Sequence, residues 1–166
     1  MLSNFKNKEE QTLQKEEKQY IVFVIGKEEF GVDVKQAREI ITTTDFTIIP
    51  KVPHFVKGVI NLRGEIIPII DLRKKLDLAG GRSGDDKKVI IVELDHCLIG
   101  MQVDDVKEMI RINLDDIVEA PAIIKGIKRD YVSGVGKLQD KLLILLNLTC
   151  ILSEQEMQII DEMDLR

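Results

Sequence analysis

The sequence predicts a mostly β protein of two small closed barrels, which arise from an internal duplication, followed by a C-terminal α-helix. Three observations support this fold class. Short apolar runs of Ile, Val and Phe end at Gly, Pro, Asp or Asn, which is typical of strands. Two stretches of the chain repeat one another. Ile, Leu and Val make up 55 of the 166 residues, enough for a core that needs no metal or disulfide.

Nine runs have the composition of strands and account for most of the chain between residues 20 and 148. Each is rich in β-branched residues, and each is bounded by residues that favour turns. The predicted strands cover residues 20–25, 29–34, 58–62, 65–71, 88–94, 97–103, 107–112, 131–138 and 141–148.

The internal repeat sets the architecture. At an offset of 69, residues 30–32 (FGV) match residues 99–101 (IGM). At an offset of 76, residues 55–59 (FVKGV) match residues 131–135 (YVSGV). The offset grows by seven because the second copy has a longer internal loop, which residues 113–128 supply. Each copy therefore holds about five strands, and a closed barrel of that size leaves no exposed strand edge.

A capping box predicts the start of the C-terminal helix. Ser153 is followed three positions later by Glu156, the pattern in which each side chain accepts a hydrogen bond from the backbone N–H of the other residue. We therefore expect a helix over residues 154–163, with Met157 and Ile160 facing a barrel.

These features divide the chain into five units. The Lys- and Glu-rich start predicts a disordered arm, and the segment LAGGRSGDDK has the composition of a linker. Exchange of strands between the two barrels is left open. The predicted units are the arm 1–18, the first barrel 19–78, the linker 79–87, the second barrel 88–152 and the helical segment 153–166.

Composition excludes several classes of partner. The net charge of −5 argues against the basic surface that nucleic acid requires. The first eighteen residues lack the apolar run of a secretory signal or membrane anchor, which predicts a cytoplasmic protein without direct membrane insertion. Cys97 and Cys150 have no Cys or His at metal-ligand spacing, so we expect reduced thiols in the core.

The sequence offers no convincing catalytic set. His96 and Cys97 are adjacent, and neighbouring side chains of a strand leave opposite faces, so the two cannot form a nucleophile–base pair. The pair Asp104–Asp105 lacks calcium-loop spacing and predicts a solvent-facing turn. The glycines of the linker are not followed by the Lys and Ser or Thr of a phosphate loop. We therefore predict no catalytic residue, no metal and no cofactor.

One hairpin predicts a site of recognition. Arg63 and Gly64 form the turn between the strands 58–62 and 65–71, and glycine permits the positive φ of such a turn. In the second copy Gln139 stands where the first has Arg63, so the barrel does not need an arginine there in order to fold. We expect the guanidinium to be free. It either binds a carboxylate or carbonyl of a partner or is an ordinary solvated surface arginine.

The hairpin also carries a family resemblance. The run FVKGVINLRGEIIPIIDL over residues 55–72, with EFGVDV at 29–34 and EII at 39–41, resembles the CheW family of bacterial chemotaxis coupling proteins. The resemblance extends over residues 19–160. It implies two five-stranded SH3-like β-barrels that share a hydrophobic junction.

The resemblance also implies a function. Members of this family are non-enzymatic adaptors that link the regulatory domain of the histidine kinase CheA to the cytoplasmic tips of methyl-accepting chemoreceptors. It follows that the protein would lie in the cytoplasm, associated with chemoreceptor arrays at the membrane.

Two groups of residues correspond to the family's contact segments. Ile40 and Ile41 are adjacent on a strand, so at least one of them is expected to face the core. The receptor-binding residues implied by the resemblance are Gly58, Asn61, Leu62, Arg63 and Met109. The kinase-binding residues that it implies are Val34, Ala37, Glu39, Ile40 and Ile41.

Three alternative functions make different demands on the sequence. The same signature occurs in the coupling half of CheV and in the regulatory domain of CheA, so the leading alternative is a coupling domain of that kind in another two-component pathway. A barrel that binds nucleic acid would need basic faces interleaved with aromatic residues, whereas the chain has two Tyr and no Trp. An enzyme would need a substrate site, and the sequence indicates none.

Overall fold

The computed structural model describes residues 16–42, 45–79 and 87–163, and the chain in these ranges is mostly β. The strands are β1 (Glu17–Ile25), β2 (Glu28–Asp33), β3 (Ala37–Thr42), β4 (Val56–Leu62), β5 (Glu65–Asp71), β6 (Lys88–Leu94), β7 (Cys97–Val103), β8 (Asp105–Asn113), β9 (Ile117–Val118), β10 (Ile123–Ile124), β11 (Ile127–Lys128), β12 (Val132–Lys137) and β13 (Leu142–Leu146).

Each copy has one α-helix after its last long strand. The first, α1 (Leu72–Lys75), begins after Asp71, whose carboxylate accepts a hydrogen bond from the backbone N–H of Lys74. The second, α2 (Glu154–Asp161), begins with the predicted capping box: the Ser153 hydroxyl and the Glu156 carboxylate each accept a hydrogen bond from the other residue's backbone N–H. The predicted helix start is confirmed.

The strands form two large sheets whose orders correspond position by position. The six-stranded sheet has the order β8-β1-β2-β13-β12-β9, and the five-stranded sheet has the order β3-β6-β7-β5-β4. The offsets of 69 and 76 pair each strand of the second order with the strand at the same place in the first. The predicted duplication and the mostly β fold with a C-terminal helix are confirmed.

The two copies exchange their first hairpins. β1 and β2 belong to the first copy but pair with β8 and β13 of the second. β6 and β7 belong to the second copy but pair with β3 and β5 of the first. The contiguous units 19–78 and 88–152 therefore do not correspond to the two sheets, because each sheet takes its first hairpin from the other copy.

The duplication extends to the irregularities of the strands. The register of β3 against β6 shifts at Arg38, and that of β8 against β1 shifts near Lys107, its repeat equivalent. Glycine also recurs where a Cβ would displace a core side chain: a Cβ on Gly100 would lie 2.5 Å from Ile69 Cδ1, and one on Gly31 would lie 2.9 Å from Leu145 Cδ2. Bulges and close approaches of this kind set the curvature that closes a small barrel.

Each sheet is closed by the segment that follows its first edge strand. In the six-stranded sheet β9 pairs with β12. In the five-stranded sheet Thr47 takes the same role, because it exchanges two backbone hydrogen bonds of 2.9 Å with Val59 of β4. β9 is thus the sixth strand of the larger sheet, and Thr47 makes the corresponding, shorter contact in the five-stranded sheet.

Three apolar clusters hold the structure together. One fills the five-stranded sheet and includes Ile67 and Ile91; a second fills the six-stranded sheet and includes Val22 and Leu143. The third and largest lies between the sheets and is called the junction below; it includes Phe23 and Phe30, whose ring centroids are 5.8 Å apart, and Met157 and Ile160 of α2. Apolar burial in the junction is the main force joining the two sheets.

Several boundaries differ from the expectation. Glu17 and Lys18 were expected in the disordered arm, but they lie in β1, where Glu17 pairs with Asn113. Residues 1–15 of that arm, residues 80–86 of the linker and residues 164–166 lie outside the described residues. The helix ends at Asp161 rather than at residue 163.

Candidate protein-binding site

The tip of the β4–β5 hairpin is a tight turn with Arg63 and Gly64 at its centre. Both central residues have positive φ, 52° at Arg63 and 84° at Gly64, which matches the right-handed twist of the flanking strands. The side-chain oxygen of Asn61 accepts a hydrogen bond of 2.9 Å from the backbone N–H of Gly64. Asn61 therefore stabilises the turn that presents Arg63.

The Arg63 guanidinium is paired with Glu39, contrary to the expectation that it is free. Its Nη1 lies 3.4 Å from Glu39 Oε2, and its Nη2 contacts Oε1 of the same carboxylate. This hydrogen bond raises the pKa of Arg63 above its ordinary value. The Arg63 side chain is still 71% exposed, so the pair stands at the surface, where such a pair adds little to stability.

The Arg63–Glu39 pair brings together one residue from each of the two groups that the family resemblance implies. Glu39 lies on β3 and Arg63 follows β4, and these strands are at opposite ends of the five-stranded order. The contact therefore joins the two edge strands of that sheet, where the barrel closes. The expected receptor-binding and kinase-binding surfaces therefore adjoin at this point.

The other residues of the expected kinase-binding group divide between surface and core. Ile40 points outward and is 40% exposed, whereas Ile41 packs against the cluster inside the five-stranded sheet. Val34 and Ala37 are half-buried against the junction. The surface that this group offers beside the hairpin tip consists mainly of Glu39 and Ile40.

Gly58 and Leu62 position the hairpin and offer little exposed surface to a partner. Gly58 is buried with φ 152°, and a Cβ there would lie 2.4 Å from the carbonyl oxygen of Thr47. Leu62 packs against the cluster inside the five-stranded sheet. Both residues therefore fix where the tip stands relative to the closing segment.

Met109 lies on the other sheet, at the repeat equivalent of Ile40. It is 57% exposed on β8, beside Glu108, which is the equivalent of Glu39. At the second hairpin Gln139 replaces Arg63, so the carboxylate of Glu108 has no arginine at the matching place. Leu142, the equivalent of Ile66, is 62% exposed there. The second tip thus carries an exposed leucine and no arginine.

A charged cluster on the six-stranded sheet was missed by the sequence analysis. Glu29 of β2 forms ion pairs with Lys107 and Lys141, and its hydrogen bonds to these lysines lower its pKa. The three residues are far apart in the chain and form no motif. Their proximity follows from the exchange of hairpins, which no local pattern reveals.

Two expectations about reactive residues are wrong. Cys97 is half-buried and Cys150 is exposed, so neither thiol lies in the core. Asp104 was expected to face solvent, but it is buried, and its carboxylate accepts a hydrogen bond of 2.6 Å from the backbone N–H of Gly26. The carboxylate fixes the turn after β1, a contact between chain segments that sequence spacing does not indicate.

Within residues 16–42, 45–79 and 87–163, no group of three or more His, Cys, Asp or Glu side chains is placed to hold a metal ion. In the same ranges no helix has the length and apolar character needed to cross a membrane.

Comparison with known proteins identifies close relatives. The model of the CheW-like domain matches residues 19–156. The chemotaxis protein CheW of Klebsiella aerogenes is 34% identical over 143 residues, which are 86% of this chain and 86% of that protein. The chemotaxis protein CheV3 of Helicobacter pylori is 28% identical over 128 residues, which are 75% of this chain and 41% of that protein. The crystal structure of the scaffolding protein TtCheW from Thermoanaerobacter tengcongensis has a TM-score of 0.78 and 33% identity, covering 85% of this chain and 91% of that chain.

Proposed function

The chain belongs to the CheW-like family, and we propose that it couples the histidine kinase CheA to the cytoplasmic tips of methyl-accepting chemoreceptors. Like its relatives, it is a chemotaxis scaffold and not an enzyme. Its contribution to signalling is to hold two partners in a fixed relation through protein–protein contacts. In this proposal the protein is cytoplasmic and is recruited to receptor arrays by its partners.

The observation that carries the proposal is the exposed Arg63–Glu39 pair. A guanidinium has five donors in a planar fork, and Glu39 occupies only part of that fork. A rigid turn holds Arg63 at the tip of the hairpin, with Asn61 fixing the backbone. A receptor carboxylate or carbonyl would complete or replace the contact with Glu39. Because the turn already fixes the backbone of Arg63, binding orders only the side chain.

The two partners would be bound on neighbouring surfaces. We assign Arg63 to the receptor, with Asn61, Leu62 and Gly58 supporting the hairpin that carries it. Exposed Met109 adds an apolar receptor contact on the other sheet.

The kinase would bind the β3 side of the same sheet. Ile40 and Glu39 provide the exposed part of that surface, and Val34, Ala37 and Ile41 support it from below. Glu39 stands at the border between the two surfaces, because its carboxylate contacts Arg63.

The alternative is a coupling domain related to CheV, or to the regulatory domain of CheA, that acts in another two-component pathway. The similarity to a CheV protein supports this alternative. The two candidates differ in the partners that they require: the alternative predicts no binding to the cytoplasmic fragment of a chemoreceptor.

The test is a pair of titrations, one with a receptor cytoplasmic fragment and one with the CheA regulatory domain. Arg63→Ala should weaken receptor binding about tenfold or more, because a hydrogen bond to a charged group is lost. Kinase binding should stay within about twofold, whereas Ile40→Ser should weaken kinase binding and spare the receptor.

Gln139→Ala is the matched control, because it truncates the equivalent side chain of the second copy. It should change neither affinity. Receptor binding by Arg63→Ala at the wild-type level would refute the assignment of the hairpin, and binding of neither partner by the wild-type protein would refute the proposed function.

A further inference from the structure

The side chain of Lys75, the last residue of α1, is buried, and its ammonium group makes four contacts to three residues. The side chain is 8% exposed. Its Nζ lies 5.3 Å from the ring centroid of Phe55 and 5.0 Å from that of Tyr131. The same atom donates to the Tyr131 hydroxyl at 3.2 Å and pairs with Glu156 Oε1 at 3.3 Å. Lysine is rarely buried in this way unless its charge is compensated.

The partners of Lys75 come from three separate parts of the chain. Phe55 and Lys75 flank β4 and β5 of the five-stranded sheet. Tyr131 precedes β12 of the six-stranded sheet, and its carbonyl accepts a hydrogen bond of 2.9 Å from the N–H of Asn147. Glu156 lies in the first turn of α2. One cation therefore contacts a segment that leads into each sheet and the C-terminal helix.

The helix α2 covers the junction. Met157 and Ile160 are buried in it, so undocking of the helix would expose apolar residues of the junction. Glu156 is used twice at the start of the helix, because the oxygen that pairs with Lys75 also accepts the backbone N–H of Ser153 at 2.9 Å. At the other end Cys97 Sγ lies 3.7 Å from Asp161 Oδ1.

We propose that Lys75 is a buried cationic lock: its charge couples the docking of α2 on the junction to the packing of the turn Arg129–Tyr131, so that the two segments open together. The segment Arg129–Tyr131 is called the turn at Tyr131 below. When one contact of a buried charge is lost, the charge is left partly uncompensated, and its other contacts must rearrange or admit water. Loss of the Glu156 contact would therefore loosen the turn at Tyr131, although Glu156 and Tyr131 belong to different elements. The coupling requires neither signalling partner.

Hydrogen–deuterium exchange of the full chain tests the coupling with two mild substitutions. Glu156→Gln keeps the capping box, since Gln serves at that position, and removes the charge that faces Lys75. Tyr131→Phe removes the hydroxyl and keeps the ring. Glu156→Gln should speed exchange at residues 131–135 about three- to thirtyfold, and Tyr131→Phe should do the same for residues 157–161.

Two further variants make the result specific to Lys75. Glu154→Gln removes a carboxylate from the same helical turn without touching Lys75, and it should leave exchange at residues 131–135 unchanged. In a Lys75→Met background, Glu156→Gln should no longer alter exchange at that turn. Unchanged exchange at residues 131–135 in Glu156→Gln, or the same change in both backgrounds, would overturn the proposal.

The thiol of Cys97 gives a second readout that does not depend on exchange. Burial and the neighbouring Asp161 raise the pKa of Cys97, so the docked helix slows its alkylation. Tyr131→Phe should speed alkylation of Cys97 about threefold or more if the turn and the helix open together. An unchanged Cys97 rate in Tyr131→Phe would contradict the coupling.

Discussion

Substitution of Gly58 tests how the hairpin is positioned. A Cβ at this residue would lie 2.4 Å from the Thr47 carbonyl oxygen, so the closing segment must move by about 1 Å to reach an ordinary contact. That movement breaks the two hydrogen bonds between Thr47 and Val59, which contribute about 1 kcal/mol each. A further cost of about 1–3 kcal/mol arises because φ is 152°, a region nearly restricted to glycine. Gly58→Ala should therefore lower the free energy of unfolding by about 3–5 kcal/mol.

The matched control is Gly64→Ala in the turn of the same hairpin. Gly64 has φ 84°, but nothing lies within 4 Å of its Cβ position, so only the backbone conformation is penalised. That substitution should cost about 1–2 kcal/mol. Equilibrium unfolding in urea measures both values. Equal costs for the two variants would show that the contact between Gly58 and Thr47 does not hold the hairpin in place.

Three further predictions concern the core, the charges and ligands. Ile67→Ala should cost about 2–5 kcal/mol in urea unfolding because Ile67 is fully buried, whereas Ile40→Ala on the surface should cost under about 1 kcal/mol; similar costs would contradict the assigned faces. Lys107 and Lys141 lower the pKa of Glu29, so its stabilising contribution is present at neutral pH and is lost as pH falls through that pKa. Glu29→Gln should therefore make stability less sensitive to acid, and an unchanged pH profile of stability would count against these ion pairs. ATP with magnesium should leave the melting temperature unchanged, and a rise of several degrees would reveal a nucleotide site.

The fold was largely predictable because its signals are local and repeated. Each strand carries its own apolar run, and the capping box at Ser153 specifies the start of α2 by hydrogen bonds within one turn. The duplication was visible because both copies keep glycine where a Cβ would crowd the core, as at Gly31 and Gly100. The exchange of hairpins was not predictable, because the pairing of β2 with β13 depends on burial between segments more than 100 residues apart.

The site was predicted only in part. A positive φ at Arg63 and an exposed tip follow from the turn sequence, so the hairpin could be identified. Its partner Glu39 is 24 residues away, and their contact exists only because the five-stranded sheet closes. The lock at Lys75 was missed for the same reason: its sequence neighbours are charged and suggest an exposed lysine, while the tertiary structure buries it between Phe55 and Tyr131.

The proposed function requires one molecule of this protein to hold receptor and kinase at the same time. Sedimentation velocity of a receptor cytoplasmic fragment and the CheA regulatory domain, with and without this protein, shows whether it does. A species containing all three components should form with the wild-type protein and with Gln139→Ala and should be depleted with Arg63→Ala. Displacement of one partner by the other, or a ternary species unaffected by Arg63→Ala, would contradict it.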